Sequence, residues 1–169
     1  MIRGALTLLL LIVLMPYVQG CEEGAENEAD ERAEKKVAAD FTLQLFDGRT
    51  FTLSKHKGEA VIVNFFASWC IPCRAEASAL EAIHRKYFEK KVVLVGVAIK
   101  DTDSAARGFV KKYGLSFATG LDRDEKIKGS FGVYGLPTTF FIDGNGLITY
   151  THAGAMTEEL IEHELEKIL

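Results

Sequence analysis

Apolar and polar residues alternate in two short stretches near residue 45, as they do in half-buried strands. Residues 41–45 and 50–53 both alternate, and Asp47-Gly48 between them is a turn signal. This pattern predicts a β-hairpin. Two later runs, 61–66 and 92–99, are almost continuously apolar, which is typical of strands buried on both faces of a parallel sheet.

Helical spacing follows each of these buried runs. Beyond residue 73, apolar residues recur every three or four positions, which predicts a helix to about residue 88 with one face on the sheet. Residues 101–104 can cap a second helix that ends near residue 113. A short extended piece is expected at 115–117, and a short helix at 125–131.

The last part of the chain predicts a hairpin and a closing helix. Strands at 138–142 and 147–150 flank the turn 143–146, and Thr157 can cap a final amphipathic helix. The predicted order is β-β-β-α-β-α-β-α-β-β-α, an α/β fold with a mixed central sheet and helices on both faces. Central strands joined by a helix are expected to run parallel with right-handed crossovers, and the final hairpin is expected to be antiparallel.

The segment 1–20 has the features of an export signal peptide. Arg3 supplies positive charge, and the apolar run that follows is too short to span a hydrocarbon core of ~30 Å. Val18-Gln19-Gly20-Cys21 resembles the lipobox of bacterial lipoproteins, apart from Gln19, where a small residue is more usual. Lipidation of Cys21 is therefore expected, with simple secretion as the alternative.

Charge separates the next segment from the rest of the chain. Residues 21–36 carry seven acidic and three basic side chains and no large apolar residue, so we predict a flexible tether, with an acidic partner-binding segment as the alternative. Residues 37–169 suit one domain. Its 17 acidic and 16 basic residues leave a net charge of −1, which argues against a nucleic-acid surface.

The clearest chemical motif is Trp69-Cys70-Ile71-Pro72-Cys73, where a predicted strand ends and a helix begins. Free N–H groups at a helix start stabilise a thiolate, so Cys70 is expected to be the attacking sulfur and Cys73 its disulfide partner. A zinc site would need about four ligands, usually with a second Cys or His pair. An inert structural disulfide is poorly placed at such a corner, so we predict a redox-active dithiol.

Three features together resemble the extracytoplasmic TlpA/ResA-like family of thioredoxin-fold proteins, over roughly residues 41–169. They are the stretch 61–73, the sequence Gly135-Leu136-Pro137-Thr138-Thr139-Phe140, and the stretch 101–117, which is similar to the family's insertion between a strand and a helix. The resemblance implies a thioredoxin fold in which Pro137 is cis and faces the disulfide. It also implies a substrate-binding surface that includes Trp69, Leu136, Pro137 and Thr138.

Two positions differ from cytoplasmic thioredoxin. The aspartate that lies beneath the dithiol in that family is replaced here by Asn64, which cannot take up a proton. Glu76 instead lies three residues after Cys73 on the same helix face, and ResA-like proteins carry a glutamate at this place. The resemblance implies that Glu76 accepts or returns the proton of Cys73. The alternative is a plain exposed helix glutamate.

The residues and the resemblance together predict an extracytoplasmic thiol–disulfide oxidoreductase without cofactor or metal. The resemblance implies a membrane-tethered reductase of protein disulfides, with apocytochrome c as a substrate and a membrane thiol carrier as the reductant. Because Ile71-Pro72 adds no charge or histidine that would stabilise the reduced form, reduction is favoured over disulfide formation. A thiol peroxidase would want threonine and proline where Ala67 and Val63 stand. A copper-binding module would want a third donor such as a nearby Met or His, which the motif lacks, and Met156 is the only methionine of the domain.

Overall fold

The computed structural model describes residues 36–169, so the signal expected at 1–20, the lipidation at Cys21 and nearly all of the tether at 21–36 lie outside the described residues. A 3-10 turn at Leu53–His56 separates the second and third strands. The strands and helices of the described part are, in chain order, β1 (Thr42–Gln44), β2 (Thr50–Thr52), β3 (Ala60–Phe66), α1 (Ile71–Tyr87), β4 (Val92–Ala98), α2 (Asp103–Tyr113), β5 (Ala118–Leu121), α3 (Lys126–Phe131), β6 (Thr138–Ile142), β7 (Ile148–Ala153) and α4 (Glu158–Glu166).

The main sheet has the strand order β5-β4-β3-β6-β7, and β1 and β2 form a separate antiparallel hairpin. Strands β3, β4 and β5 run parallel, whereas β6 is antiparallel to both of its neighbours. The predicted element order, the mixed sheet and the hairpin are confirmed. Strand β3 is buried at every position, which explains why its sequence is apolar throughout except at Asn64.

The prediction that strands joined by a helix run parallel is wrong for β6. Strand β5 ends at Leu121, opposite Ala98 at the end of β4, and β6 begins at Thr138, opposite Phe65 near the end of β3. Both points lie at one edge of the sheet. The six-residue helix α3 rises only ~9 Å, less than the ~23 Å that a strand as long as β3 spans. The chain therefore turns back at this edge, which is also where α1 starts.

The extended piece predicted at 115–117 is displaced along the chain, because β5 occupies Ala118–Leu121. Gly114 ends α2 in the left-handed conformation, with φ of 63°. Next to it, Ser116 donates its backbone N–H to Oε2 of Glu81 at 2.7 Å. A side chain of α1 thus takes the hydrogen bond that a neighbouring strand would otherwise receive, and the strand begins only after it.

The core has two layers, one on each face of the sheet. One face packs on α1 and α4, and the other packs on the hairpin and α3, so helices cover both faces as predicted. The hairpin also closes the free edge of β5, where Leu45 bridges Gly120. A Cβ atom at Gly120 would lie 2.3 Å from the carbonyl oxygen of Gln44, so this contact requires glycine.

Candidate active site

The turn between β3 and α1 brings two cysteines together. Cys70 is the N-cap residue of α1, and Pro72 and Cys73 lie in the first helical turn. The two cysteines form a disulfide with an S–S distance of 2.05 Å. The backbone N–H of Cys73 donates to Sγ of Cys70 at 3.2 Å. Since N–H groups at a helix start favour negative charge, this contact is suited to stabilise a Cys70 thiolate after reduction.

Three contacts from outside the motif hold this turn. Asp101 accepts hydrogen bonds from the backbone N–H and the hydroxyl of Ser68, at 2.6 and 3.0 Å. Arg74 donates from Nε and Nη2 to the Ser68 carbonyl oxygen, at 3.2 and 2.9 Å. The indole N–H of Trp69 donates to the carbonyl oxygen of Lys100 at 2.9 Å. Trp69 is therefore fixed in orientation although its ring is largely exposed.

The loop before β6 lies beside the dithiol. The Leu136-Pro137 peptide bond is cis, as the resemblance implies, and Leu136 packs on the apolar cluster that contains both cysteines. Pro137 and Thr138 are buried, and the Pro137 carbonyl accepts from the N–H of Gly154 at 2.9 Å. Within residues 36–169, no backbone group pairs with the N–H or the C=O of Leu136. Both groups can therefore take a strand-like partner.

Glu76 lies one turn of α1 beyond Cys73 and is only 1% exposed, so the alternative of a plain exposed glutamate is wrong. Its Oε1 accepts from Nδ2 of Asn64 at 2.8 Å, and its Oε2 accepts from the backbone N–H of Met156 at 3.1 Å. The same Nδ2 of Asn64 also donates to Oγ1 of Thr139 at 2.9 Å. This network joins α1 to β3, to β6 and to the segment that leads into α4.

The carboxyl group of Glu76 has a strongly shifted proton affinity. Burial raises the pKa of Glu76 to about 7, from an ordinary value of 4.5, because desolvation penalises the charged form. The hydrogen bonds from Asn64 and Met156 lower the pKa but do not cancel the effect of burial. Glu76 can therefore exchange a proton near neutral pH, as groups that act in acid–base steps do.

Comparison with known proteins identifies the family. A family model described as AhpC/TSA matches residues 35–151. The chain belongs to the AhpC/TSA family. This AhpC/TSA member is 37% identical to thiol-disulfide oxidoreductase ResA of Bacillus thuringiensis (strain Al Hakam) over 133 residues, which cover 79% of this chain and 77% of the relative.

Solved structures similar to this AhpC/TSA member carry related names. A thiol:disulfide interchange protein DsbE of Chlorobium tepidum is 29% identical with a TM-score of 0.74, over 79% of this chain and 96% of that one. A secreted disulfide oxidoreductase of Mycobacterium tuberculosis, described as homologous to E. coli DsbE, is 26% identical with a TM-score of 0.69, over 75% and 95%. The thioredoxin fold and the ResA-like resemblance are confirmed, and the protein is a thiol–disulfide oxidoreductase of the ResA/DsbE type.

In this AhpC/TSA-family site the two cysteines are buried, whereas several side chains around them are exposed. In the disulfide form, Cys70 is 3% exposed and Cys73 is 1% exposed. Trp69 and Ile71, on either side of Cys70, and Tyr134, just before the cis-proline loop, are all largely exposed. The sulfurs thus lie just below a surface on which apolar side chains are open to solvent.

Several contributors to the site are not evident from the sequence. Asp101 is expected only as part of a helix cap, but Thr102 caps α2 and Asp101 holds Ser68 instead. Thr139 lies in the proline motif without a predicted role. Met156 contributes a backbone N–H, which no side-chain type encodes. The one available signal was the break in the apolar run of β3 at Asn64.

Among residues 36–169, no helix combines the length and the apolar character needed to cross a membrane. The same residues contain no group of three or more His, Cys, Asp or Glu side chains placed to hold a metal ion.

Proposed function

We propose that this protein is an exported, membrane-tethered reductase that acts on disulfides of other proteins through Cys70 and Cys73. The observation that carries the proposal is the Cys70–Cys73 disulfide at the start of α1, with the buried carboxyl of Glu76 one turn further on, where burial raises its pKa to about 7. A purely structural disulfide has no use for such a group, whereas a dithiol that must exchange protons does.

In the reduced enzyme, the Cys70 thiolate attacks one sulfur of a substrate disulfide. A mixed disulfide forms and the other substrate sulfur leaves as a thiolate. Cys73 then gives its thiol proton to Glu76, and the resulting thiolate attacks the sulfur of Cys70. This step restores the Cys70–Cys73 disulfide and releases the second substrate thiolate, so two electrons have passed to the substrate. The proton on Glu76 returns to a released thiolate or to solvent.

The surface around the sulfurs is suited to an extended substrate chain. The unpaired backbone N–H and C=O of Leu136 can form strand-like hydrogen bonds with it. Trp69 and Ile71, next to Cys70 in the chain, and Tyr134, just before the cis-proline loop, offer exposed apolar side chains for contact. We assign Pro137 and Thr138 to the support of this loop, because both are buried beneath it.

We also propose that residues 1–20 direct export, that residues 21–36 tether the domain 37–169, and that Cys21 carries a lipid. The lipobox-like sequence at 18–21 supports the anchor, and the description of the M. tuberculosis neighbour as secreted supports export. Mass spectrometry of the mature N-terminus should find a diacylated or triacylated Cys21. A mature chain that begins at another residue with a free amine would contradict the anchor.

The test of the reaction is to trap its mixed disulfide. The Cys73→Ser variant of the full chain should accumulate in cells as mixed disulfides on Cys70, whereas Cys70→Ser should trap nothing. Apocytochrome c is the substrate that we expect to find, reduced in the cycle by electrons from a membrane thiol carrier. In vitro, the wild type should accelerate insulin reduction by dithiothreitol, and Cys70→Ser should not. Equal rates for the two would contradict the proposal and leave a non-catalytic thiol-binding module.

The direction of electron flow is measured separately. A Cys70–Cys73 midpoint potential near about −270 mV would support a reductase, and one near about −120 mV would indicate a disulfide-forming oxidant. The reduced enzyme should also show a Cys70 thiol pKa below the ordinary value of ~8.5. Rapid consumption of peroxide by Cys73→Ser would instead favour a thiol peroxidase.

A further inference from the structure

The side-chain amide of Asn64 faces two groups that can change their hydrogen-bonding role. Its Nδ2 atom lies 2.8 Å from Oε1 of Glu76 and 2.9 Å from Oγ1 of Thr139, so both amide hydrogens are used when Glu76 is an anion. The other carboxyl oxygen of Glu76 faces the N–H of Met156. A proton on the side of either oxygen that faces its present partner places a donor against a donor, and within residues 36–169 no acceptor is hydrogen-bonded to another side of this carboxyl.

A half-turn of the amide removes this conflict for Oε1 without moving another side chain. The half-turn places Oδ1 of Asn64 where Nδ2 stood, within hydrogen-bond distance of both Glu76 and Thr139. Oδ1 then accepts from the protonated carboxyl of Glu76. It also accepts from the hydroxyl of Thr139, which can donate as readily as it accepts. Nitrogen and oxygen of an amide differ little in size, so packing does not oppose the exchange.

The opposite side of the amide tolerates both orientations. Within residues 36–169, Oδ1 of Asn64 has no hydrogen-bond partner. Those residues nevertheless contain no fully enclosed side-chain nitrogen or oxygen that lacks a partner. Oδ1 of Asn64 is thus not fully enclosed, although the residue as a whole is only 2% exposed. Because water can donate to Oδ1 or accept from Nδ2, neither orientation leaves that side of the amide unsatisfied.

Few other charges act on this group. On its own helix, Cys73 is held in the disulfide, and Arg74 donates to the Ser68 carbonyl oxygen. The next acidic side chain is Glu81, and within residues 36–169 no charged residue is a cause of the Glu76 pKa shift. The acidic group that α4 brings against α1, Glu162, pairs with Lys86, ten residues along the helix and ~15 Å away along its axis. The Glu76 carboxyl contacts Asn64 from β3 and Met156 from the segment before α4. Strand β6 contributes Thr139, which contacts Asn64. None of these three residues titrates.

We propose that Asn64 is a reversible amide switch, which donates to Glu76 when Glu76 is charged and rotates to accept from Glu76 when it is protonated. The proposal rests on the proposed function, in which Glu76 takes the proton of Cys73 and gives it up again. Asn64 is a positioning residue, because it acts on the cysteines only through Glu76. Thr139 is its second partner in both states.

The Thr139→Val variant separates a rotating amide from a fixed one. If Asn64 rotates, valine at 139 leaves an N–H of Asn64 unpaired only while Glu76 is charged. When Glu76 is protonated, Oδ1 of Asn64 still accepts from the Glu76 carboxyl and loses only the hydrogen bond from Thr139. The pKa of Glu76 then rises by about one unit. If Nδ2 faces Glu76 in both states, the N–H is unpaired in both and the midpoint does not move. Thr139→Ser, which keeps the hydroxyl, is the matched control and should titrate as the wild type does.

The titration is read from the carboxyl carbon of Glu76 by ¹³C NMR on the full mature chain in its disulfide form. It needs no turnover, so failure of Cys73→Ser to trap a substrate would reject the proposed function and leave this result unaffected. An unchanged midpoint in Thr139→Val overturns the switch. If that variant does not fold, the wild type decides: nuclear Overhauser contacts from the Nδ2 hydrogens to Thr139 should be lost below the Glu76 midpoint, and their persistence would overturn the switch.

Discussion

Helix α1 carries two buried glutamates that behave in opposite ways. Glu76 and Glu81 are 1% and 7% exposed and lie five residues apart on the same helix. Burial raises the pKa of Glu76 to about 7. For Glu81, burial also acts to raise the pKa, but hydrogen bonds from Ser116 and Arg85 outweigh it and hold the pKa below its ordinary value. Loss of water alone therefore does not determine the charge of a buried carboxyl.

The difference comes from the deeper desolvation of Glu76 and from the donors that each carboxyl meets. Glu81 accepts from the backbone N–H and the hydroxyl of Ser116, both at 2.7 Å, and from the cationic Arg85 at 2.6 Å. Glu76 meets one neutral amide side chain and one backbone N–H, and no cation. Two donors are too few to offset its loss of water. Glu81 is thus a fixed anion that holds the loop before β5, whereas Glu76 holds a proton that can move.

The largest effect should follow from replacing Glu76 by glutamine. The folded state binds the Glu76 proton more tightly than the unfolded chain does. The free energy of unfolding of the wild type therefore falls as pH rises from about 4.5 to about 7. Above pH 7 the cost of burying the charged carboxylate is fully present. Glu76→Gln removes the penalty. In the disulfide form it should raise the free energy of unfolding at pH 8 by up to about 3 kcal/mol, a gain largely gone at pH 5.

Urea unfolding at the two pH values measures this gain. Glu89→Gln, at an exposed residue just beyond α1, is the control for the loss of one negative charge. A Glu76→Gln variant whose stability relative to wild type is the same at both pH values would show that Glu76 titrates normally. The contrast with Glu81 would then fail.

Replacing Glu81 by alanine should have the opposite sign. The change removes hydrogen bonds from Ser116 and Arg85 to a charged acceptor, and should lower the free energy of unfolding at pH 7 by about 2 kcal/mol. Because the folded-state pKa of Glu81 is depressed, its contribution is present above the unfolded value of 4.5 and is lost as pH falls through the folded value. Urea unfolding should therefore show the loss shrinking in acid, with Glu89→Ala as the control.

Glu81→Ala should leave the chemistry of the site unchanged. The pH midpoint of disulfide exchange should match that of the wild type, because Glu81 shares no hydrogen-bond partner with Glu76. A shifted midpoint would mean that the two carboxyls are coupled through one hydrogen-bond network.

The contrast between these glutamates was only partly predictable from the sequence. The order of strands and helices followed from apolar periodicity, which burial imposes on the chain itself. The role expected of Glu76 came from the family resemblance, and its burial agrees with the helical phase of Cys73, Ala77 and Leu80. No local pattern could assign it the N–H of Met156, which is 80 residues away.

Glu81 received no role from the sequence, for a related reason. Its partner Ser116 lies 35 residues away, in a stretch whose apolar residues favour a strand. The antiparallel direction of β6 was likewise not predictable from the sequence pattern, because it depends on the short length that helix α3 spans between β5 and β6. In each case the deciding contact is between elements, and hydrophobic spacing within one element does not record it.

The smallest predicted effect separates the two kinds of donor to Glu81. The Arg85 side chain is 70% exposed, so its ion pair with Glu81 is screened by solvent, and Arg85→Ala should cost only about 0.5 kcal/mol. The cost of Arg85→Ala should disappear in about 1 M salt, where the Debye length is ~3 Å. The cost of Glu81→Ala should persist, because the wild type keeps its hydrogen bonds from Ser116 to Glu81 at high salt and the variant lacks them. Urea unfolding of both variants at low and high salt measures the difference. Should Arg85→Ala cost as much as Glu81→Ala, the cation and not the Ser116 donors would keep Glu81 charged, and a single arginine facing Glu76 would be enough to abolish its proton exchange.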